Sequence, residues 1–454
     1  MLSPHSTRRF PVLSPLLAIL LFAGASSGVR AQSQVPAAKV SDFLRSIGAN
    51  SAISVRGETL FRTIEAAGYL GLGWIRAGYE SDIPVQDMVT LHQQTGVRFS
   101  YGLGSGGTDL ARLLSGAKTL AASDALVGLE GPNEPNNWGV TYQGEAGGGR
   151  APSWLAVAKL QRDLYKAVKS DPVLQKYPVW SISENGAQSD NVGLQFLTIP
   201  QGTNCLMPDS TRYADAANVH NYIYHPNSPN PEDNKTWNVA DPSRACKVDG
   251  LYGNYGSTWA RHFAGYSDRD LLTLPRVTTE TGATIGGAVT EETHAINLLT
   301  LYLDQFKRGW SHTAVYLLRD RSDEGGNQQF GFYKPDYTPR KAALYLHNLT
   351  TILADRTTNV SPGKLAYAIP NPPATVHDLL LQKSDGTFEL VVWNEQVTGS
   401  ATVTLKFDRA VPVIMYDPTM GTQPTRNLTQ TRAVTLTLSN HPVVLEIPTR
   451  TTPR

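Results

Sequence analysis

The sequence has 454 residues, with 40 Lys and Arg against 39 Asp and Glu and no basic block. That balance gives no electrostatic footing for a nucleic acid or an anionic membrane surface, so the expected partner is neutral or nearly so. Only 17% of the residues are charged, while 8 Trp and 19 Tyr are available as flat platforms of the kind that hold the apolar faces of sugar rings.

The chain opens with Arg8 and Arg9, then an apolar run from Val12 to Ala25, then "GVRAQ" with Val29 and Ala31 at the spacing of a cleavage site. This predicts a secretory signal peptide over residues 1–31 and a secreted or periplasmic product, because the run is too short to span a bilayer. No later stretch is apolar enough to span. About 420 residues then remain, too many for one ordinary core and enough for a large barrel plus a smaller domain. A monomer is expected.

From residue 47 to 347 short apolar runs alternate with amphipathic helical stretches, the pattern of parallel βα units. The strand candidates in order are "SIGANSAIS", "LGWIRAGYE", "VRFSYGLG", "LVGLEGPNE", "VWSISENG", "AANVHNYIY", "RVTTETGA" and "TAVYLLRD". Eight such runs are what a closed (β/α)8 TIM barrel needs, and the barrel is assigned to residues 32–350. Among the helices, 153–169 carries Val157, Leu160, Leu164 and Val168 on one face; 291–308 carries Ile296, Leu299, Leu303 and Phe306, with Gly309 as a stop. These stripes are read as core contacts. After "AALYLHNLTTIL" the period falls to two, as where Val434, Leu436 and Leu438 alternate with Thr435 and Thr437. Residues 356–454 therefore read as an all-β sandwich, either a sugar-binding module or a domain that packs on the barrel.

Two cysteines, Cys205 and Cys246, in an exported chain predict a disulfide in preference to two free thiols. Two Cys without His at ligand spacing do not make a zinc site, and no metal or other cofactor is expected.

In such barrels the working residues sit at the C-terminal ends of the strands. Glu134 falls just past the end of the fourth strand and before Pro135, whose ring predicts extended backbone at Glu134. Glu130 lies inside the strand and reads as a barrel-lining acid in need of a partner such as Arg76 or a neighbouring hydroxyl. Asn133 can donate to one sugar hydroxyl and accept from another. For a second carboxylate, Glu184 is about 50 residues on and belongs to the adjacent strand, whereas Glu280 is about 146 residues on, three units away and across the mouth. Glu280 is taken as the partner.

"NEP" ending strand four and "TETG" ending strand seven resemble clan A of the glycoside hydrolases, which holds family 5 cellulase-like and family 39 xylosidase-like enzymes. Arg76 in "WIRAG", His220 and Tyr222 in "NVHNYIY", and the closing segment "FGFYKPDYTPRKAALYL" extend the likeness over most of residues 45–347. The resemblance implies a retaining hydrolase of a β-linked carbohydrate. Glu134 would be acid/base and Glu280 nucleophile, with Arg76 and Tyr222 holding Glu280 ionised, Asn133 on the sugar 2-hydroxyl and His220 supporting the network. A retaining enzyme requires the two carboxyl groups to lie about 5–5.5 Å apart, against about 6.5–9.5 Å for an inverting one.

The likeness breaks at strand eight, where many clan members have a tryptophan floor and this chain has Tyr316, followed by Arg319, Asp320 and Arg321. The arginines suit either an acidic sugar or a salt-bridge cluster with Asp320 and Asp323. Trp138, Tyr142, Tyr224 and Trp237 are candidate sugar platforms or simple loop packing. A barrel that only binds glycan, and an adhesive envelope protein led by the β domain, are the alternatives from other classes.

Overall fold

The described barrel strands are short runs rich in Val, Ile, Thr and aromatic residues, and the described helices between them bury apolar faces, a pattern met here by laying the helices around a closed parallel sheet. The computed structural model describes residues 34–80, 82–135, 137–149, 151–183, 211–224, 230–241, 275–323, 329–355 and 361–449, with the backbone of 185–187. The predicted signal peptide, Glu184, both cysteines and most of segment 225–260 lie outside the described residues.

The barrel strands are Ile47–Asn50, Trp74–Ala77, Arg98–Ser105, Leu126–Asn133, a fifth in two pieces (Val179–Trp180 and Asn185–Ala187), Ala217–Tyr222, Arg276–Thr281 and Trp310–Val315. All pair in parallel and in chain order, the eighth returns to the first at Thr313 to Val315, and the two pieces of strand five join strand four to strand six. The eighth strand ends before "LLRD", which leaves the ladder at Tyr316. Helix Leu155–Ser170 buries Val157, Leu160, Leu164 and Val168, and helix Glu291–Lys307 ends where Gly309 takes a left-handed φ of 89°.

The barrel interior is layered. At the bottom, Trp74 and Trp180 meet edge to face with ring centroids 5.5 Å apart, and Ala216, Val277 and Ala314 fill the gaps. Gly48 is required there: a Cβ on it would stand 2.4 Å from the Trp74 ring. One pleat above Trp74, on the same face of strand two, Arg76 begins a charged layer.

The β domain is an all-β sandwich built on one sheet, antiparallel except where the edge strand Ala38–Lys39 joins it in parallel. Strand Ala401–Tyr416 is long enough to pair with Lys364–Ala368 at one end and Val443–Ile447 at the other, and its register shifts between Lys406 and Val411. Strand Phe388–Asn394 is buried on both faces: Phe388, Leu390 and Val392 enter the sandwich core, while Val391 and Trp393 join the barrel core. The N-terminal strands Gln34–Pro36 and Ala38–Lys39 also pair into this sheet, so the β domain draws on both ends of the chain and is not confined to 356–454.

Candidate active site

Arg76 has no exposed surface and organises the barrel mouth. Its Nε donates to both Glu130 oxygens at 3.0 Å, its Nη2 to Glu130 Oε1 and to Asn133 Oδ1 at 2.7 Å, and its Nη1 to Glu280 Oε1 and to Asn50 Oδ1 at 3.3 Å. Those contacts use all five guanidinium donors. Arg76 therefore holds the carboxylates and has no donor left for a substrate. Burial works against its charge, but Glu130 and Glu280 outweigh that and raise its pKa.

Glu280, on strand seven, accepts from the Tyr222 hydroxyl at 2.7 Å on its other oxygen. Burial pushes the Glu280 carboxyl up from its ordinary value and the nearby Glu134 adds to this, while His220, Arg76 and Tyr222 pull it back. Tyr222 is itself driven well above the usual phenol range by burial and by the two glutamates. His220 comes from strand six on the same face as Tyr222 and Asn218. Its Nδ1 lies 2.7 Å from Glu134 Oε1 and 3.5 Å from Glu280 Oε2. Its Nε2 lies 3.0 Å from Thr279 Oγ1. Burial lowers its pKa to about 4, so the ring is neutral near pH 7.

One oxygen each of Glu134 and Glu280, with one ring nitrogen of His220, lie within 4.8 Å of one another. The cluster is compact enough to surround an ion, but His220 Nδ1 and Glu134 Oε1 are already at hydrogen-bond distance, so it is better described as two carboxyls bridged by an imidazole.

Glu134 departs from the extended backbone expected before Pro135: its φ is +41°, in the left-handed region. The turn that follows decides this. Asn137 and Trp138 both donate their backbone N–H to the Glu134 carbonyl at 2.8 Å, and Asn137 Nδ2 reaches Glu134 Oε2 at 2.9 Å. Such a conformation costs about 1–3 kcal/mol and persists where surrounding contacts over-determine it. The chain reverses directly after strand four, which swings the Glu134 carboxyl over the mouth.

No protein-family model and no curated protein matches the sequence. Solved structures do match. A family 39 glycoside hydrolase from the gut symbiont Bacteroides cellulosilyticus aligns over 91% of this chain and 83% of its own, at 14% identity and a TM-score of 0.54. A bifunctional glucanase-xylanase from a metagenome library covers 92% and 97% at 12% identity with a TM-score of 0.54, and a family 51 alpha-L-arabinofuranosidase from Bifidobacterium longum covers 92% and 98% at 11% with 0.53. The chain has the fold of these glycoside hydrolases.

On this glycoside hydrolase fold the remaining candidate residues divide. Asn133 is nearly buried between Arg76 and Ser105, its Nδ2 donating to the serine at 3.0 Å. Trp138 stands on the rim, 54% exposed. Tyr142 is tied to Asp163 at 3.0 Å. Tyr224 is buried under Lys235, and Trp237 stacks on His377 of the β domain at 4.0 Å, so neither faces the mouth. At strand eight the salt-bridge reading holds for Arg321, which binds Asp323 at 2.7 Å and Glu80 at 2.6 Å, but Asp320 pairs with Arg340 instead and Arg319 donates to the Pro335 carbonyl at 2.7 Å. Tyr316 is half-buried where strand eight ends, edge-on to Tyr222 and Phe330 at 6.4 and 5.8 Å.

Three residues of the site escaped the sequence reading. Tyr79 lies with its ring 4.8 Å from the Arg76 guanidinium and is half-exposed at the mouth. Asn50 ends strand one, and Thr279 precedes Glu280 in the "TTETG" already singled out. The signal for Thr279 was there, but strict alternation would point it away from the side that Glu280 faces. The register of strand seven against strand eight is irregular between Thr278 and Thr281, and both residues reach the same charged cluster.

Proposed function

We propose that this chain is an exported retaining glycoside hydrolase that cleaves a β-linked poly- or oligosaccharide by double displacement. The observation that carries the reading is the close approach of Glu134 and Glu280, with oxygens within 4.8 Å, at the strand-four and strand-seven ends of a barrel mouth. Glu280 attacks the anomeric carbon while Glu134 gives its proton to the departing glycosidic oxygen, forming a glycosyl ester on Glu280. Water, losing a proton to Glu134, then displaces the ester with a second inversion. Arg76 and Tyr222 favour the ionised form of Glu280 against its burial. Asn133 is set beside Arg76 to meet the sugar 2-hydroxyl, a contact that helps most in the transition state. The pairing of Arg321 with Glu80 and Asp323 favours an uncharged sugar. The apolar run before Ala31 supports export.

The test is a screen of aryl β-glycosides and neutral polysaccharides with wild type, Glu134→Ala and Glu280→Gln, following release and anomeric configuration. Retention is expected, with Glu280→Gln inactive on every substrate and Glu134→Ala inactive wherever the leaving group needs a proton. Inversion, or full activity in Glu280→Gln, would overturn the assignment.

A further inference from the structure

We infer that Thr279 is a positioning residue that fixes which nitrogen of His220 carries hydrogen and thereby keeps Glu134 in its acid form. The inference rests on the glycosidase reading for the role of Glu134, but its geometry stands apart from that role.

The Thr279 hydroxyl is buried among three partners: Glu130 Oε1 at 3.1 Å, Asn218 Oδ1 at 3.0 Å and His220 Nε2 at 3.0 Å. Glu130 Oε1 already accepts from Arg76 and offers no proton. Asn218 turns its Nδ2 to the Ser181 carbonyl at 3.4 Å, so its carbonyl oxygen faces the threonine. A hydroxyl has one proton to donate and two lone pairs with which to accept. With acceptors at Glu130 and Asn218 taking that proton, the contact left for His220 is one in which Nε2–H donates to Thr279. A neutral imidazole has only one N–H, so Nδ1 presents a lone pair.

That lone pair is 2.7 Å from Glu134 Oε1. Two bare acceptors at this distance repel, so the proton between them belongs to the Glu134 carboxyl. Burial opposes the other solution, a doubly protonated ring, and holds the His220 pKa down to about 4. The groups that act on this pair are Arg76 from strand two, Glu130 from strand four, Tyr222 from strand six and Glu280 from strand seven, with Tyr79 beyond Arg76 and Glu280 and Tyr316 beyond Tyr222. Only Arg76 among them is cationic, and its donors are committed elsewhere. After Glu134 has given its proton to the leaving oxygen, its carboxylate faces the Nδ1 lone pair. That unfavourable contact promotes recapture of a proton from the incoming water, as the second displacement requires. Glu130 thus reaches Glu280 through Arg76 and Glu134 through Thr279 and His220.

Thr279→Val removes the hydroxyl at nearly constant volume. His220 is then free to carry hydrogen on Nδ1 and donate to a Glu134 carboxylate, which lowers the pKa of the acid. The alkaline limb of kcat/KM on a glycoside with a poor leaving group should fall by about one pH unit or more while the acid limb stays. On a dinitrophenyl glycoside, whose leaving group needs no proton, the variant should lose less than about threefold, and Thr279→Ser should restore the wild-type profile. Nitrogen-15 spectra of histidine-labelled protein, with His220 assigned by its loss in His220→Phe, should show hydrogen on Nε2 and a bare Nδ1 in the wild type. A hydrogen on Nδ1 in the wild type overturns the inference whether or not any glycoside is turned over, which separates it from the function reading. An unmoved alkaline limb in an active Thr279→Val, or equal losses on both leaving groups, also overturns it.

Discussion

The barrel mouth and the seam between barrel and β domain both bury acids, and they surround them differently. At the mouth one guanidinium serves Glu130 and Glu280, and both oxygens of each of these two carboxyls have a donor within reach. At the seam Asp304 takes a hydrogen bond from Trp393 Nε1 at 3.1 Å, with Glu395 beside it, and burial followed by Glu395 raises the Asp304 pKa well above the usual carboxylate value. Glu389, on the barrel-facing side of its strand, has Lys383 at 2.7 Å, yet burial pushes its pKa up to about 8. Where the charge is needed for chemistry the fold keeps it with a fully committed arginine. Where the acids join two domains, burial favours their protonated form even with Lys383 beside Glu389.

The largest effect should come from removing the arginine. Arg76→Met leaves Glu130 and Glu280 buried without their cation, so the expected loss is about 3–5 kcal/mol of stability, read by denaturant unfolding. Residual activity in a folded fraction should show an acid limb shifted upward, because Glu280 then ionises less readily. A variant as stable as wild type would mean that the mouth, like the seam, can protonate its acids at little cost.

A middle-sized effect is expected at the seam. The Glu389 carboxyl has a raised folded-state pKa, so the folded protein binds a proton there more tightly than the unfolded chain does. Its contribution is complete below the unfolded value of about 4.5 and declines as pH rises toward about 8. Glu389→Gln should flatten that decline, which can reach about 1.4 kcal/mol per pH unit at its steepest. Parallel stability-against-pH curves for wild type and Glu389→Gln would break the contrast between the two regions.

This contrast also sets what the sequence could reveal. The barrel was legible because eight apolar runs recur with helices between them, and Glu134 and Glu280 were legible because their strand order puts them face to face. The partnership of Arg76 with Glu130 was foreseeable because a buried acid needs a cation. Thr279 and Tyr79 were not, since a ladder irregularity and a loop path decide where they point. Nor was the N-terminal strand that enters the β sheet, because three-residue edge strands carry too little pattern to be seen. Trp237 was misplaced for the same reason as the backbone of Glu134: long-range packing against His377 in one case, and a tight turn in the other, overrode local expectation.

The smallest effect separates the two kinds of tryptophan. Trp138 is more than half exposed on the rim, held by its backbone N–H to the Glu134 carbonyl at 2.8 Å, so its indole is free to move without disturbing the carboxyl. Trp237 lies between His377 and Arg308, whose guanidinium is 4.4 Å from its ring, and its backbone N–H donates to Glu395 at 3.1 Å. If Trp138 stacks on a sugar bound beyond the cleaved bond, Trp138→Ala should raise KM for oligosaccharides by several-fold, the equivalent of about 1 kcal/mol of stacking, with kcat on a simple aryl glycoside and the melting temperature unchanged. Trp237→Ala should do the reverse, lowering the melting temperature through the seam and leaving KM alone. An unchanged KM on longer substrates in Trp138→Ala would assign the rim tryptophan to loop packing and leave Tyr79 and Tyr316 as the aromatic surfaces of the mouth.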